Sequence, residues 1–567
     1  MEAVGGGILQ VDNLQGLADG LSAGEGSKLL LTGGDYEWSN TLDVPSGAEL
    51  QLGGQWVNNG ELAVDGGVVR FGGNFGTASL GVITRTGGEL RITGAVDNTG
   101  QTWVMDPALG SWALDGGTIT GGVLSPVDTS VFNILPNSAN RLVGVTLAGP
   151  IEFTETYSRL RVGDGLTLAG GTSETEMIRM TGGWTSLAFE GTNTVSGTGT
   201  IVMDGATSGN KYLEMQANGE LTLGSGIIVR GGRGLIGGSY YYGRNMALLN
   251  QGSIVADVTN ETLRVETRGG YVVNEGVMEA VGGGILQVDN LQGLADGLSV
   301  GEGSKLVLTG GDYEWSNTLD VPTGAELQLG GQWLNKGVLA VDGGVVRFGG
   351  NFGTASLGVI TRTGGELRIT GLVDNTGQTW VMDPALGSWA LDGGTITGGV
   401  LSPVDTSVFN ILPNSANRLV GVTLAGPIEF TETYSRLRVG GGLTLAGATS
   451  ETEMIRMTGG WTSLAFEGTN TVSGTGTIVM DGTTSGNKYL EMQAEGELTL
   501  GSGIVVRGGR GILGGSYFFG RNMNLVNQGA IIADVPGQTL RVEHRGGVFV
   551  NEGTTAEQNG GLLVIDP

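Results

Sequence analysis

Asp35 and Glu37 stand two residues apart in the stretch Asp35-Tyr36-Glu37-Trp38, where acids and aromatics alternate. On an extended strand that alternation sets both carboxylates on one face. Two carboxylates across a groove are what a glycoside hydrolase requires, and aromatic rings beside them could stack on sugars. Acids alternating outward along a strand more commonly form a solvated face, and no catalytic residue is expected here. A second acidic group, Glu152, Glu155, Glu174 and Glu176, has Arg159, Arg161 and Arg179 nearby in sequence. Ion pairs between stacked elements account for it.

A different chemistry is suggested by the segment from Arg230 to Arg244, which holds Arg230, Arg233, Tyr240, Tyr241, Tyr242 and Arg244. Its counterpart holds Arg507, Arg510, Tyr517, Phe518, Phe519 and Arg521. Arginines and aromatics supply most hot spots of binding surfaces, so this is the candidate docking segment. The plainer alternative is a loop folded over the edge of the structure, with one ring filling the core and an arginine stacked on another. Asp65-Gly-Gly and Asp115-Gly-Gly fit tight turns, and the Gly-Gly-x-Gly-x-Asp calcium nonapeptide does not recur. The expectation is no dedicated metal site and no cofactor, with room for incidental calcium at acidic corners. Glycine strings such as Gly5-Gly-Gly lack the Gly-Lys-Ser/Thr of a phosphate loop and read as turns.

The elements that would carry these residues are legible in the composition. Of 567 residues 111 are Gly and 12 are Pro, against a usual glycine content of roughly 7%. No Gly-X-Y period accompanies them, which excludes collagen. Charged residues make up 15% and hydrophobic ones 39%, enough apolar material to bury, so the chain should fold. Basic residues number 29 and acidic ones 56, a formal charge of 29 − 56 = −27. That sign disfavours nucleic acid and anionic lipid as partners, and no run of about 20 apolar residues offers a membrane span. There is no cysteine. The one histidine, His544, has Thr267 at the equivalent place, so it carries no chemistry common to both.

Residues 1–277 align without gaps to 278–554, differing at roughly one position in ten, the mark of a tandem array. Residues 555–567 open a third copy, and because Met1 begins a segment that recurs at Met278, the sequence reads as a piece of a longer array. Inside each copy run short alternating strands, for example Gly60-Glu-Leu-Ala-Val and Gly88-Glu-Leu-Arg-Ile. Each has one buried face, and Gly, Asn-Gly or Asp-Gly corners separate them. Asn250 and Asn274 are 24 residues apart, as are Asn527 and Asn551, a step that matches one coil of a parallel β-helix. The fold class expected is therefore all-β, a parallel β-solenoid of about 24 residues per coil. Asn58, Asn98, Asn250, Asn274, Asn335, Asn375, Asn527 and Asn551 are its structural corners, able to bond up and down a ladder. At about 4.8 Å per coil the chain would make a rod of roughly 120 Å. The stretch 12–27, with Leu14-Gln-Gly-Leu17-Ala-Asp-Gly-Leu21, reads as a short helix or loop interrupting the coils.

The recurring Asn-x-Gly, then Leu-x-Val or Ile-x-Ala, then Asp or Gly-Gly, resembles the β-helical stalks of bacterial surface proteins: autotransporter passengers, filamentous haemagglutinin-like adhesins and giant repetitive surface adhesins. The resemblance implies a right-handed β-helix, secretion to a bacterial cell surface and a role in adhesion or matrix, and it brings no catalytic residues. The function expected is a non-enzymatic structural or adhesive rod, a stalk or fibre segment. The alternatives are a polysaccharide-binding or polysaccharide-cleaving β-helix and a calcium-dependent surface-layer or matrix repeat. Partners to expect are other copies of the chain, end to end or laterally, and glycans or surface proteins.

Overall fold

A computed structural model describes residues 1–566 except 206–207, 238–240 and 515–517. Strand accounts for 56% of the chain and the described residues contain no α-helix; the parallel strands stack as a β-solenoid of about 24 turns with about 23 residues per turn. Contacts divide the chain into two compact units, 1–306 and 307–567. The sequence repeat ends inside the first unit, and coils run through that point unbroken: Ile254 pairs with Met278, and Met278 with Leu298.

One coil shows the construction. Lys28–Leu31, Gly34–Trp38 and Thr41–Val44 are its three strands, followed one coil later by Glu49–Leu52, Gln55–Asn58 and Glu61–Val64. Leu29 lies under Leu50, Tyr36 under Trp56 and Leu42 under Leu62, all parallel. The period of two sends these side chains inward, and repetition turns them into columns. The first column runs Leu50, Val69, Leu90, Trp112, Phe132, Ile151, every one buried. Aromatic rings thicken it locally, with Trp56 and Phe75 centroids 4.7 Å apart and Phe71 and Trp112 at 5.2 Å. The second unit repeats the column through Leu327, Val346, Leu367, Trp389, Phe409 and Ile428.

Coil length is not constant. Phe132 pairs with Ile151, 19 residues on, whereas Ile201 pairs with Val229, 28 residues on. The turns absorb the difference while strand register is kept.

The corners explain much of the glycine. Gly73 has φ of 71°, and a Cβ placed there would lie 2.1 Å from the Gly54 carbonyl oxygen beneath it. Gly54 has φ of 78° and stands in the same relation to Gly34, at 2.3 Å. Both the left-handed backbone and the close approach of the coil below demand glycine.

The stretch 12–27 is neither a helix nor a loop interrupting the coils. Leu14–Leu17 is a strand lying parallel to Gly34–Glu37, and Ser22–Ala23 pairs with Glu2–Ala3. Asn13 and Gly16 have φ of 53° and 72°, left-handed geometry that breaks a right-handed helix, and ladder pairing outweighs the helical leaning of the leucines.

On the outer face arginines stack and share carboxylates. Arg141 and Arg161 are adjacent in register, and Glu190, on the next coil, takes Arg141 Nη2 at 2.6 Å and Arg161 Nη1 at 3.8 Å. Arg70 and Arg91 are likewise adjacent and meet Asp115 at 2.8 and 3.2 Å. Each carboxylate cancels a like-charge pair that would otherwise repel.

Candidate functional site

The segment from Arg230 to Arg244 leaves strand Gly226–Gly231, forms the short strand Gly234–Ile236 and returns to strand Met246–Asn250. Tyr240 lies outside the described residues, as does Tyr517 in the second copy. Tyr241 is laid against the solenoid wall. Its hydroxyl donates to the Trp184 carbonyl at 2.7 Å, its ring meets Tyr212 edge-on at 5.8 Å, and the Arg159 guanidinium sits over it 3.5 Å from the centroid. Burial pushes the Tyr241 hydroxyl pKa up, against the pull of Arg159. Tyr242 is half-buried beside it, and its pKa is also raised by burial.

In the second unit Phe518 takes the place of Tyr241. Arg436 covers it at 3.6 Å and Tyr489 meets it at 5.7 Å, so the ring geometry persists without the hydroxyl. Phe519 is half-buried like Tyr242.

Beneath the segment, strand Lys211–Met215 is buried on both faces. Leu213 and Met215 stack on Leu187 and Phe189. Glu214 points the other way and accepts from the Ser186 hydroxyl at 2.6 Å and from the Tyr241 amide at 3.4 Å. Burial pulls the Lys211 ammonium pKa down, with Arg233 adding to the effect, and its Nζ donates to the Gly209 carbonyl at 3.3 Å. Trp184 has φ of 59° and Trp461 of 57°, a left-handed backbone rare for so bulky a residue.

The arginines divide into two kinds. Arg230 bonds Glu176 at 2.6 Å and Asp257 at 3.0 Å, and Arg507 repeats the pattern with Glu453 and Asp534. Burial lowers the Arg230 pKa, and the two carboxylates more than restore it. Arg233 pairs with Glu261 at 2.6 Å. In the second copy Gln538 replaces that acid, and Arg510 donates instead to the Thr484 carbonyl at 3.1 Å. Arg244 and Arg521 are exposed. An anionic ligand would have to compete with in-place carboxylates for Arg230 and Arg233, whereas Arg244 and Arg521 face solvent.

Asp35 and Glu37 are exposed, while Tyr36 and Trp38 are 2% and 1% exposed and sit in the core. The rings proposed for sugar stacking therefore face inward. Of the second acidic group, Glu152 and Glu176 pair with Arg179 at 3.8 and 3.2 Å, and Glu155 and Glu174 are exposed. Among the described residues no group of three or more acidic or histidine side chains could hold a metal ion.

The asparagine corners are of two types. Asn250 donates to Asn274 Oδ1 at 2.7 Å, and Asn527 to Asn551 Oδ1 at 2.7 Å. Asn58, Asn98, Asn335 and Asn375 instead donate to backbone carbonyls of the next coil. Trp184, Ser186, Tyr212 and Glu214 were not singled out from sequence as parts of one cluster. The available signal was Ser186-Leu-Ala-Phe189 over Lys211-Tyr-Leu-Glu-Met215, strands too apolar for a solvated outer face. No protein-family model and no curated protein matches the chain.

Proposed function

We propose that this chain is a non-enzymatic structural or adhesive segment, a stalk or fibre element of a large secreted bacterial surface protein. The observation that supports this reading is the bracing of the outer surface, repeated in both copies. Arg141 reaches Glu190, 49 residues on, with a two-pronged bond at 2.8 and 2.6 Å, and Arg418 reaches Glu467 in the same way. Such charge-assisted ties hold non-adjacent coils together, which suits a scaffold that must resist proteolysis and pulling. Secretion and a bacterial surface come from the resemblance to β-helical stalks, and pairing with further copies, laterally or end to end, accords with that role. Negative-stain electron microscopy is the test. Elongated particles gaining about 4.8 Å per coil, or fibres of them, support the reading; compact globules overturn it.

Glycan binding is a second reading, favoured by one feature. An open groove of about 630 Å³ includes Asp35, Gln55, Asn74 and Asp97 in its lining, and the second copy repeats it with Asp312, Gln332, Asn351 and Asp374. Rows of carboxylate and amide side chains can bond sugar hydroxyls. Glycan-array binding abolished by Gln55→Ala with Gln332→Ala would establish it, and an empty array would remove it.

A further inference from the structure

In each copy one of the three sheets contains a three-stranded island, Thr41–Val44, Glu61–Val64 and Val82–Arg85 in the first and Thr318–Val321, Val338–Val341 and Val359–Arg362 in the second. Among the described residues neither island pairs with the strand before it or the strand after it, and the interruption after each is the more open to an occupant. Val82–Arg85 pairs with Glu61–Val64 on the preceding coil, and Thr102–Met105 pairs with Val123–Pro126 on the following one. Among the described residues no pairing joins 82–85 to 102–105. The second unit repeats the interruption between Val359–Arg362 and Thr379–Met382.

The break coincides with a change at a corner. Asn58 reaches forward to the carbonyls of Leu80 and Val82 at 2.8 and 2.9 Å, and Asn98 does the same to Gly121 and Val123 at 3.4 and 3.2 Å. The coil between them has no asparagine there; it runs through Asn74–Gly76 into a 3-10 helix, Thr77–Leu80. Among the described residues no corner amide and no ladder bond joins the start of strand 102–105 to 82–85.

What remains is a groove, of about 700 Å³ in the second unit, lined by Leu357, Ile360, Trp380 and Trp389 among others. A second 3-10 helix, Pro384–Leu386, borders it, anchored by Arg362, whose guanidinium donates to the carbonyls of Leu386, Ser388, Gly364 and Gly365.

Three features specify an occupant. Thr86 N–H bonds Val64, and Val123 N–H bonds Gln101; by the alternation of a parallel ladder, the N–H and C=O of Ile83 and Arg85, and of Thr102 and Val104, point into the gap. Two facing rows of backbone donors and acceptors are complementary to one extended strand. Val82 and Val104 are 58% and 56% exposed on its rims, and Val359 and Val381 56% each, so an apolar side chain between them would cover both. Finally, the one cation of the lining is spent on carbonyls, leaving Asp383 as the charge the groove presents. In a chain of net charge −27 that favours a basic visitor over a second copy.

We propose that the interruption following Val82–Arg85, and its counterpart following Val359–Arg362, is a strand-acceptor slot, taking an extended segment of another polypeptide that alternates apolar residues and carries Lys or Arg. This mode of recognition draws affinity from the main chain and selectivity from alternate side chains.

The test titrates a fluorescent peptide, Lys-Thr-Val-Ile-Val-Thr-Lys, onto the full chain and reads anisotropy. The expected result is saturable binding at two sites per chain, one in each copy. Methylating alternate peptide nitrogens weakens it about tenfold or more, and Val104→Asp with Val381→Asp, changes at exposed positions, removes it while circular dichroism is unchanged. No saturation at millimolar peptide, or binding indifferent to methylation and to both substitutions, overturns the proposal. So does self-association of the chain that those substitutions abolish, which would make a second copy the occupant.

Discussion

Asn250 donates its side-chain amide to Asn274 Oδ1 at 2.7 Å, and the two residues are register partners on successive coils. The same nitrogen reaches the Val277 carbonyl at 3.0 Å. Both residues are buried, so one interior amide fixes two acceptors of the next coil.

Replacing Asn250 by Ala strands those acceptors, at a cost of about 1–3 kcal/mol for each buried group left unpaired. Hydrogen exchange at the amides of residues 274–277 should accelerate, and Asn527→Ala should do the same at 551–554. Exchange that stays at the parent rate would show that water replaces the amide.

Acid should loosen the outer braces. The Arg141 guanidinium holds the Glu190 carboxyl below the usual carboxylate range, against burial, and Arg418 does the same for Glu467. For Asp115 burial pulls upward, but bonds from Asn137, Arg70 and Arg91 outweigh it. These folded values lie below the unfolded ones. Their contribution is therefore fully present above about pH 4–5, the unfolded carboxylate range, and is lost as pH falls through the folded values. Thermal scans between pH 7 and pH 2 should show the decline. Glu190→Gln with Glu467→Gln should lower the transition at pH 7 and flatten its acid limb.

Gly73→Ala meets both a left-handed backbone and the Gly54 carbonyl oxygen at 2.1 Å. The expected loss is at least about 2 kcal/mol, read as a lower urea midpoint. Gly100, also at positive φ but with open space around it, should lose only about 1 kcal/mol on the same change.

The arginines of the Arg230–Arg244 segment should separate under substitution. Arg230→Ala leaves Glu176 and Asp257 without their shared partner and should cost up to about 1 kcal/mol, since the pair is partly exposed. Arg244→Ala should leave the melting temperature unchanged. If a partner docks there, Arg244→Ala is accordingly the variant that separates binding from stability.

Much of the fold could be read before any coordinates. Leu50, Val69 and Leu90 sit on alternating strands, and the 24-residue step from Asn250 to Asn274 names the register of two coils directly. Period and identical neighbours are local signals. The short helix or loop expected to interrupt the coils over 12–27 failed because leucine spacing is ambiguous over a few residues, and ladder pairing with Gly34–Glu37 decided the matter. The cluster under Tyr241 was hidden because Arg159, Trp184 and Tyr241 come from three different coils. The missing pairing between 82–85 and 102–105 is a relation between two coils, which no single strand announces.

The tie from Arg141 to Glu190 passes over the coil that carries Arg161. A ladder bonded only between neighbours can lose its rungs singly, like a zipper. Where a brace skips a rung, the coil at one end cannot peel away without opening a bond anchored two coils inward. Failure there comes in blocks of three coils, so the quantity evolution can adjust by a single Arg–Glu pair is the grain size of unravelling as well as its energy.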